Sequence, residues 1–289
     1  MNPLTNHLLQ QLATALGNSI TRYEQVPGGD INQTYKLHSA GKNYFLKLNN
    51  ASSFPGMFAA EAEGLHFLRH HSMLRIPQVL VYGATEDTQW LLLEWIEKGA
   101  VAKTSMERFG QRLAEMHQQP QAYFGWTGNN YIGSLRQTNT AHEDWMSFFT
   151  ACRLQPLITH LLDTGAAVGI TSKTVDRFFQ NIQDMFPKET PSLLHGDLWS
   201  GNFMIDATGT AAIFDPAVYF GHREMDLGMT RLFGGFNENF YKGYNSIYPL
   251  EKGWEERLPL SQLYPLLVHA VLFGGHYIAQ VQSTIMRYA

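Results

Sequence analysis

The residues of this 289-residue chain that could do chemistry crowd into one stretch. His195 to Asn202 reads H-G-D-L-W-S-G-N, and Ile213 to Pro216 follows as I-F-D-P. The stretch offers a carboxylate at Asp197, a carboxamide at Asn202 and a second carboxylate at Asp215. Between Asn202 and Asp215, two short apolar runs flank a polar Asp-Ala-Thr-Gly turn, which predicts a hairpin. A hairpin brings its ends together, so Asn202 and Asp215 should face one another at its open mouth. Oxygen-bearing side chains there suit a hard cation such as Mg²⁺, which takes oxygen ligands and keeps some waters. Asp197, just upstream, is then placed to accept a proton from a hydroxyl nucleophile.

A lone His-Gly-Asp would fit any loop in which both side chains satisfy backbone groups. Asp, Asn and a second Asp at this spacing across a hairpin are harder to explain so. The spacing resembles the catalytic loop and metal-binding Asp of protein kinases, H-R-D-x-x-x-x-N and D-F-G. Gly196 stands where those enzymes carry Arg, and Phe214-Asp215-Pro216 replaces D-F-G. Both changes are typical of small-molecule kinases on the same fold, such as aminoglycoside and choline kinases. The longer run L-L-H-G-D-L-W-S-G-N, with D-P-A-V-Y-F-G-H-R-E-M-D-L from Asp215 to Leu227, is similar to the fructosamine kinase (ketoamine kinase) family. That resemblance extends over nearly the whole chain.

The elements that must position these residues can be taken in order. Leu4, Leu8, Leu9, Leu12 and Leu16 follow helical spacing, with Gly17 as a stop, and this helix is expected to pack on the first lobe. Ile20 to Val26 reads as a strand, Pro27 to Gln33 as a glycine loop, and Thr34–Leu37 and Tyr44–Leu48 as the next strands. In a kinase such a loop lays backbone N–H groups over nucleotide phosphates, which would assign Gly28 and Gly29, although hairpin turns use the same residues.

Lys47 alternates with apolar neighbours on its strand, where a lysine is usually an exposed edge residue. The kinase resemblance makes it the lysine that grips phosphate, and it then needs an acidic partner. The following helix offers Glu61, with Leu65 and Leu68 on its face. Glu63 is rotated roughly 200° away at about 100° per residue. Family resemblance favours Glu61, and Glu63 stays open.

Val79–Tyr82 and Gln89–Trp95 complete a five-stranded antiparallel lobe and run into a segment resembling the kinase hinge. There the Glu94 carbonyl and Ile96 N–H are expected to read adenine. After Gly99 the spacing turns helical at Phe109, Leu113 and Met116, marking a lobe boundary between residues 1–98, a nucleotide-binding lobe, and 99–289, a catalytic and substrate-binding lobe. The glycine- and aromatic-rich run Phe124–Gly133 is either functional or a packed Ω-loop. Helices are expected near 142–162 and 171–186, a short loop at 216–221, and a helix opening at His222. The kinase resemblance implies that Asp226 hydrogen-bonds the catalytic-loop backbone. Leu263–Met286 reads as one buried helix.

Composition excludes other classes. Apolar residues make up 44% and charged ones 16%, which describes a globular chain. The net charge of −4 without a basic block argues against nucleic acid. His269, His276, Gln280 and Gln282 interrupt the most apolar late stretch, which argues against a membrane span. A single cysteine, Cys152, forms no intrachain disulfide and fits the cytoplasm.

The expected fold is therefore α+β: a two-lobed protein-kinase-like fold, with a small antiparallel β lobe and a larger, mostly helical lobe. The expected chemistry is transfer of the ATP γ-phosphate, with Mg²⁺, to a hydroxyl of a small molecule. The resemblance implies a fructosamine or ribulosamine, free or on glycated protein side chains, phosphorylated on its sugar 3-hydroxyl. From Glu97 onward there are 18 Asp and Glu against 15 Lys and Arg, too few spare acids for a polycationic aminoglycoside. A ketoamine asks for one acid, neutral donors and an aromatic wall, for which Glu224, Asn130 and Trp199 are the candidates, although Trp199 could equally serve packing. The rivals are an aminoglycoside or amino-alcohol kinase and a nucleotide-binding pseudokinase.

Overall fold

The computed structural model describes residues 4–27, 31–167 and 169–289. Its first lobe is built on one antiparallel sheet. Helix α1 (Asn6–Leu16) starts where the Thr5 side chain accepts a hydrogen bond from the Leu8 N–H. Strands β1 (Ile20–Gln25), β2 (Gln33–Ser39) and β3 (Lys42–Asn50) follow, then α2 (Met57–His71), β4 (Val79–Ala84) and β5 (Thr88–Glu94). The strand order is β1-β2-β3-β5-β4. Leu8 and Leu12 of α1 bury with Leu37, Leu46, Leu48 and Leu92 on one face of this sheet. Because side chains alternate along a strand, Lys47 points to the other face, toward α2. β3 pairs on both sides, with β2 and with β5, so Lys47 belongs to a central strand and is only 2% exposed.

The second lobe opens with α3 (Lys103–His117), and the aromatic-rich run after it ends in a hairpin, β6 (Asn130–Ile132) with β7 (Leu135–Gln137). The helix expected near 142–162 has three parts: α4 (Trp145–Phe148), a π-helical segment over Phe149–Leu154, and α5 (Gln155–Asp163). Pro156 supplies the reason. It has no N–H for the Cys152 carbonyl one turn back, so the helix widens there. The freed carbonyl accepts instead from Arg153 Nη1 at 3.1 Å. Then come α6 (Ser172–Asn181), β8 (Ser192–Leu194), β9 (Phe203–Ile205), β10 (Ala211–Ile213) and β11 (Tyr219–Gly221). β11 pairs with β8, so the segment after Asp215 is part strand where the sequence reads as loop.

The chain closes with α7 (Glu224–Leu232), α8 (Glu238–Ile247), α9 (Leu258–Ser261), α10 (Leu263–Phe273) and α11 (His276–Tyr288). The late apolar stretch is thus two helices, not one. Gly274 and Gly275 part them at φ 64° and 60°, and α11 fully buries only Val281 and Ile285. No helix among the described residues is long and apolar enough to cross a membrane.

A buried polar knot ties β11 and α7 to the loop before β8. Arg223 donates to both carboxylate oxygens of Glu189 and to the carbonyls of Tyr248 and Pro249. Beside it, burial and then the Arg223 charge push the His222 imidazole down to about 3. In the unfolded chain this ring takes up a proton near pH 6.5. The unfolded state therefore binds more protons between those limits, and stability falls as pH drops from 6.5 toward 3. His222 alone should lower the unfolding free energy by about 1.4 kcal/mol between about pH 7.5 and about pH 5.5. Denaturant titrations measure this. The His222→Gln variant should flatten the slope, and stability rising on acidification would contradict the assignment.

Candidate active site

β8 delivers the chain into His195–Asn202. Gly196 has φ 84°, and a Cβ there would lie 2.1 Å from the Ala217 carbonyl oxygen. No side chain fits, which accounts for glycine at this position. The Asp226 carboxylate accepts from the backbone N–H groups of His195 (2.8 Å) and Gly196 (2.9 Å), and lies 3.2 Å from His117 Nε2. Burial would raise the pKa of Asp226, but these partners outweigh it and hold the group below its ordinary value. His195 Nε2–H donates to the Phe214 carbonyl at 3.0 Å, and Nδ1 accepts from the Asp197 N–H at 3.3 Å. That pair of bonds requires one neutral tautomer, and burial lowers the His195 pKa in the same sense. The loop is therefore held from both ends before any ligand arrives.

Asn202 Nδ2 donates to the Asp197 carboxylate at 2.9 Å and to the Asp197 carbonyl at 2.8 Å, which orients the acid and leaves Asn202 Oδ1 for another partner. Desolvation, with the charge of Asp215 adding to it, pushes Asp197 up to about 7 against the Asn202 hydrogen bond. β9 and β10 form the hairpin, with Phe203 opposite Ile213, and the Phe214 N–H closes on the Asn202 carbonyl at 3.1 Å. Asp215 leaves its mouth at φ 57°. A non-glycine residue in this left-handed region costs of order 1–3 kcal/mol, held in place by the surrounding structure.

Asp215 Oδ1 lies 2.6 Å from Lys47 Nζ, and Glu61 Oε1 lies 2.7 Å from it. Burial works against the ammonium, yet the two carboxylates outweigh it and raise the Lys47 pKa. Glu63 points elsewhere, accepting from Thr127 Oγ1 at 2.9 Å. Glu61→Ala should therefore lower kcat/KM at least about tenfold, or ~1.4 kcal/mol, while Glu63→Ala stays within about twofold. Steady-state kinetics of both variants check this, and equal defects would contradict the pairing.

A cavity of about 510 Å³ opens over these groups, lined among others by Lys47, Glu61, Asp197, Trp199, Asn202 and Asp215. Glu94, the last residue of β5, and Ile96, just beyond it, lie outside that lining. The Glu94 carboxylate pairs with Arg75 and accepts from the Gln78 N–H at 3.2 Å. Gly28 and Gly29 lie outside the described residues.

Glu224 is a correction. It is 1% exposed and paired with both Arg257 Nε and Nη2, away from the cavity, so it cannot meet a substrate amine. Burial raises its pKa against the pull of Arg257, as a structural ion pair would show. Asn130 does line the cavity, but its amide is largely engaged with the wall. Nδ2 donates to the Val218 carbonyl, and Oδ1 accepts from Gln137 and Asn139. It supports the wall through these bonds, which use one of its two amide protons. Trp199 is 38% exposed at the cavity, and its ring lies over Gly201, where a Cβ would come within 2.3 Å of it.

Sequence reasoning missed the opposite wall, where Phe233, His269, Phe273 and Tyr277 line the same cavity. Phe233 follows α7, His269 and Phe273 share one face of α10, and Tyr277 lies on α11, so only tertiary packing gathers them.

A lysine on a central strand gripped by a helix glutamate, set over Asp, Asn and Asp around a hairpin, defines a phosphotransferase of the protein-kinase-like fold. An aminoglycoside phosphotransferase, APH(4)-Ia, solved with AMP-PNP and hygromycin B, shares this fold at TM-score 0.63 and 17% identity, covering 97% of this chain and 98% of that one. Closer likenesses are specific. The family model for fructosamine kinase matches residues 4–289. A probable ketoamine kinase of Enterococcus faecium is 41% identical over 262 residues, covering 90% of this chain and 92% of the relative. The crystal structure of a candidate fructosamine-3-kinase from Thermobifida fusca aligns at TM-score 0.86 with 32% identity, over 97% and 98% of the two chains. The chain belongs to the fructosamine kinase family.

Proposed function

We propose that the protein transfers the γ-phosphoryl group of ATP to the sugar 3-hydroxyl of a ketoamine, a fructosamine or ribulosamine either free or on a glycated protein side chain. The ester so formed falls apart and frees the amine, which makes deglycation in the cytoplasm the role. The observation that carries this reading is Asp197 oriented by Asn202 at the floor of a cavity that Lys47 and Asp215 share. An acid with a pKa near working pH, held within hydrogen-bonding reach of an acceptor hydroxyl, can take its proton as the bond to phosphorus forms. Lys47, charged and fixed by Glu61 and Asp215, would hold phosphate oxygens. We place residues 1–98 as the nucleotide lobe and 99–289 as the substrate lobe, with the Glu94 carbonyl and Ile96 N–H reading adenine.

The donor set also fits Mg²⁺. Asn202 Oδ1 and the Asp215 oxygen turned away from Lys47 are hard oxygens, and phosphate and water would supply the remaining ligands. Among the described residues no group of three or more His, Cys, Asp and Glu is placed to hold a metal. When bound, the cation neutralises charge on the transferring phosphoryl group.

Little carboxylate is left for a polycation, because Glu61, Asp197 and Asp215 are the acids lining the cavity among the described residues. Kinetics on a ribulosamine, a fructosamine and kanamycin test the reading. A ketoamine should exceed kanamycin at least about tenfold in kcat/KM, or ~1.4 kcal/mol. Preferential turnover of kanamycin would overturn the substrate and leave the fold standing.

A further inference from the structure

Beyond Trp199, the cavity continues as a row of rings. Trp199 and Phe233 meet edge-on at 6.0 Å, Phe233 lies 4.9 Å from His269, and His269 lies 5.6 Å from Phe273 and 5.0 Å from Tyr277. Lys47, Asp197, Asn202 and Asp215 line the same cavity, which leaves this row of rings as a wall for the amine substituent of a sugar presented to Asp197. We propose that Phe233, His269, Phe273 and Tyr277 form an amine-side subsite, selecting ketoamines whose nitrogen carries an apolar or aromatic group over those carrying a carboxylate. The inference rests on the ketoamine reading above.

Charge and hydrogen bonding support it. Lys47 is the only lysine or arginine lining the cavity among the described residues, and Glu61 and Asp215 already hold it. A carboxylate on the amine substituent would thus lose water at an apolar wall, find no cation there, and face the charges of Asp197 and Asp215. The substrate's secondary ammonium fares differently. His269 Nδ1 lies 2.7 Å from the Pro265 carbonyl, which can only accept, so Nδ1 carries the proton. Nε2 is then the acceptor of a neutral ring, and burial lowers the His269 pKa in keeping with this. An ammonium donating to Nε2 would lie among aromatic faces that attract cations. An apolar substituent would cover Phe273, which is 56% exposed at the mouth.

The test compares ribulosamines of benzylamine, ethylamine and glycine. In the native protein kcat/KM should fall in that order, with benzyl at least about tenfold above glycine, the difference appearing in KM and not kcat. In the Phe233→Ala/Phe273→Ala double variant this ratio should shrink to within about threefold. His269→Leu should raise KM for all three, and His269→Gln, which keeps an acceptor, should recover part of the loss. Equal kcat/KM across the native series, or a preference for glycine, overturns the subsite and leaves ketoamine phosphorylation intact. Absence of turnover on every ketoamine overturns the underlying function and this inference with it. If the variants fail to fold, the native series still decides.

Discussion

Asp197→Asn should bind nucleotide as the native protein does and lose turnover by roughly 10²–10⁴-fold, the range general-base catalysis contributes. The change is nearly isosteric. The surrounding support, from Asp226 on the His195 and Gly196 N–H groups to the His195 ring between Phe214 and Asp197, does not involve the Asp197 carboxylate. An amide can still accept from Asn202, but it cannot take a proton from the acceptor hydroxyl. Nucleotide affinity and single-turnover rate, measured on the same preparation, separate the two effects. Near-native turnover would remove Asp197 from the chemistry, and parallel loss of nucleotide affinity would make its role structural.

Asp215→Asn should be the next most damaging substitution, lowering turnover by roughly 10²–10³-fold through lost electrostatic stabilisation. Asparagine is chosen because it tolerates the left-handed backbone that Asp215 adopts at φ 57°, whereas alanine would add a conformational penalty. The variant removes a full charge from the proposed cation site and one of the two carboxylates on Lys47. From the cation site Asn202→Ala removes only a neutral oxygen, although it also frees Asp197, so Mg²⁺-dependent nucleotide affinity should fall further in Asp215→Asn. Equal Mg²⁺ titrations for native protein and Asp215→Asn would refute the metal assignment.

What could be read from the sequence was what local geometry controls. The meeting of Asn202 and Asp215 follows from a hairpin of fixed length, and the turn residues mark it. Asp226 reaches His195 and Gly196 from about thirty residues away, a contact that the kinase resemblance implies and local spacing does not. Glu61 shares a helix face with Leu65 and Leu68, which favours it without excluding Glu63; the contacts to Lys47 and Thr127 separate the two. The central position of Lys47 was not visible, because alternation alone does not tell an edge strand from an inner one. Glu224 misled for a related reason: an acid at a helix start reads as available, but Arg257 returns from 33 residues away to bury it. β11 spans three residues, too few for any period to register. The far wall of the cavity joins Phe233 after α7 to residues of α10 and α11, a proximity that only tertiary packing creates.

The central claim is phosphoryl transfer from ATP to a ketoamine hydroxyl at Asp197, and ³¹P NMR of a running reaction tests it most directly. With Mg²⁺, ATP and a ribulosamine, a sugar phosphate ester resonance should appear as the ATP γ resonance declines. The ester should then decay as free amine accumulates, and Asp197→Asn should produce neither signal. ATP left intact beside the ketoamine, or an ester formed equally well by Asp197→Asn, would contradict the account.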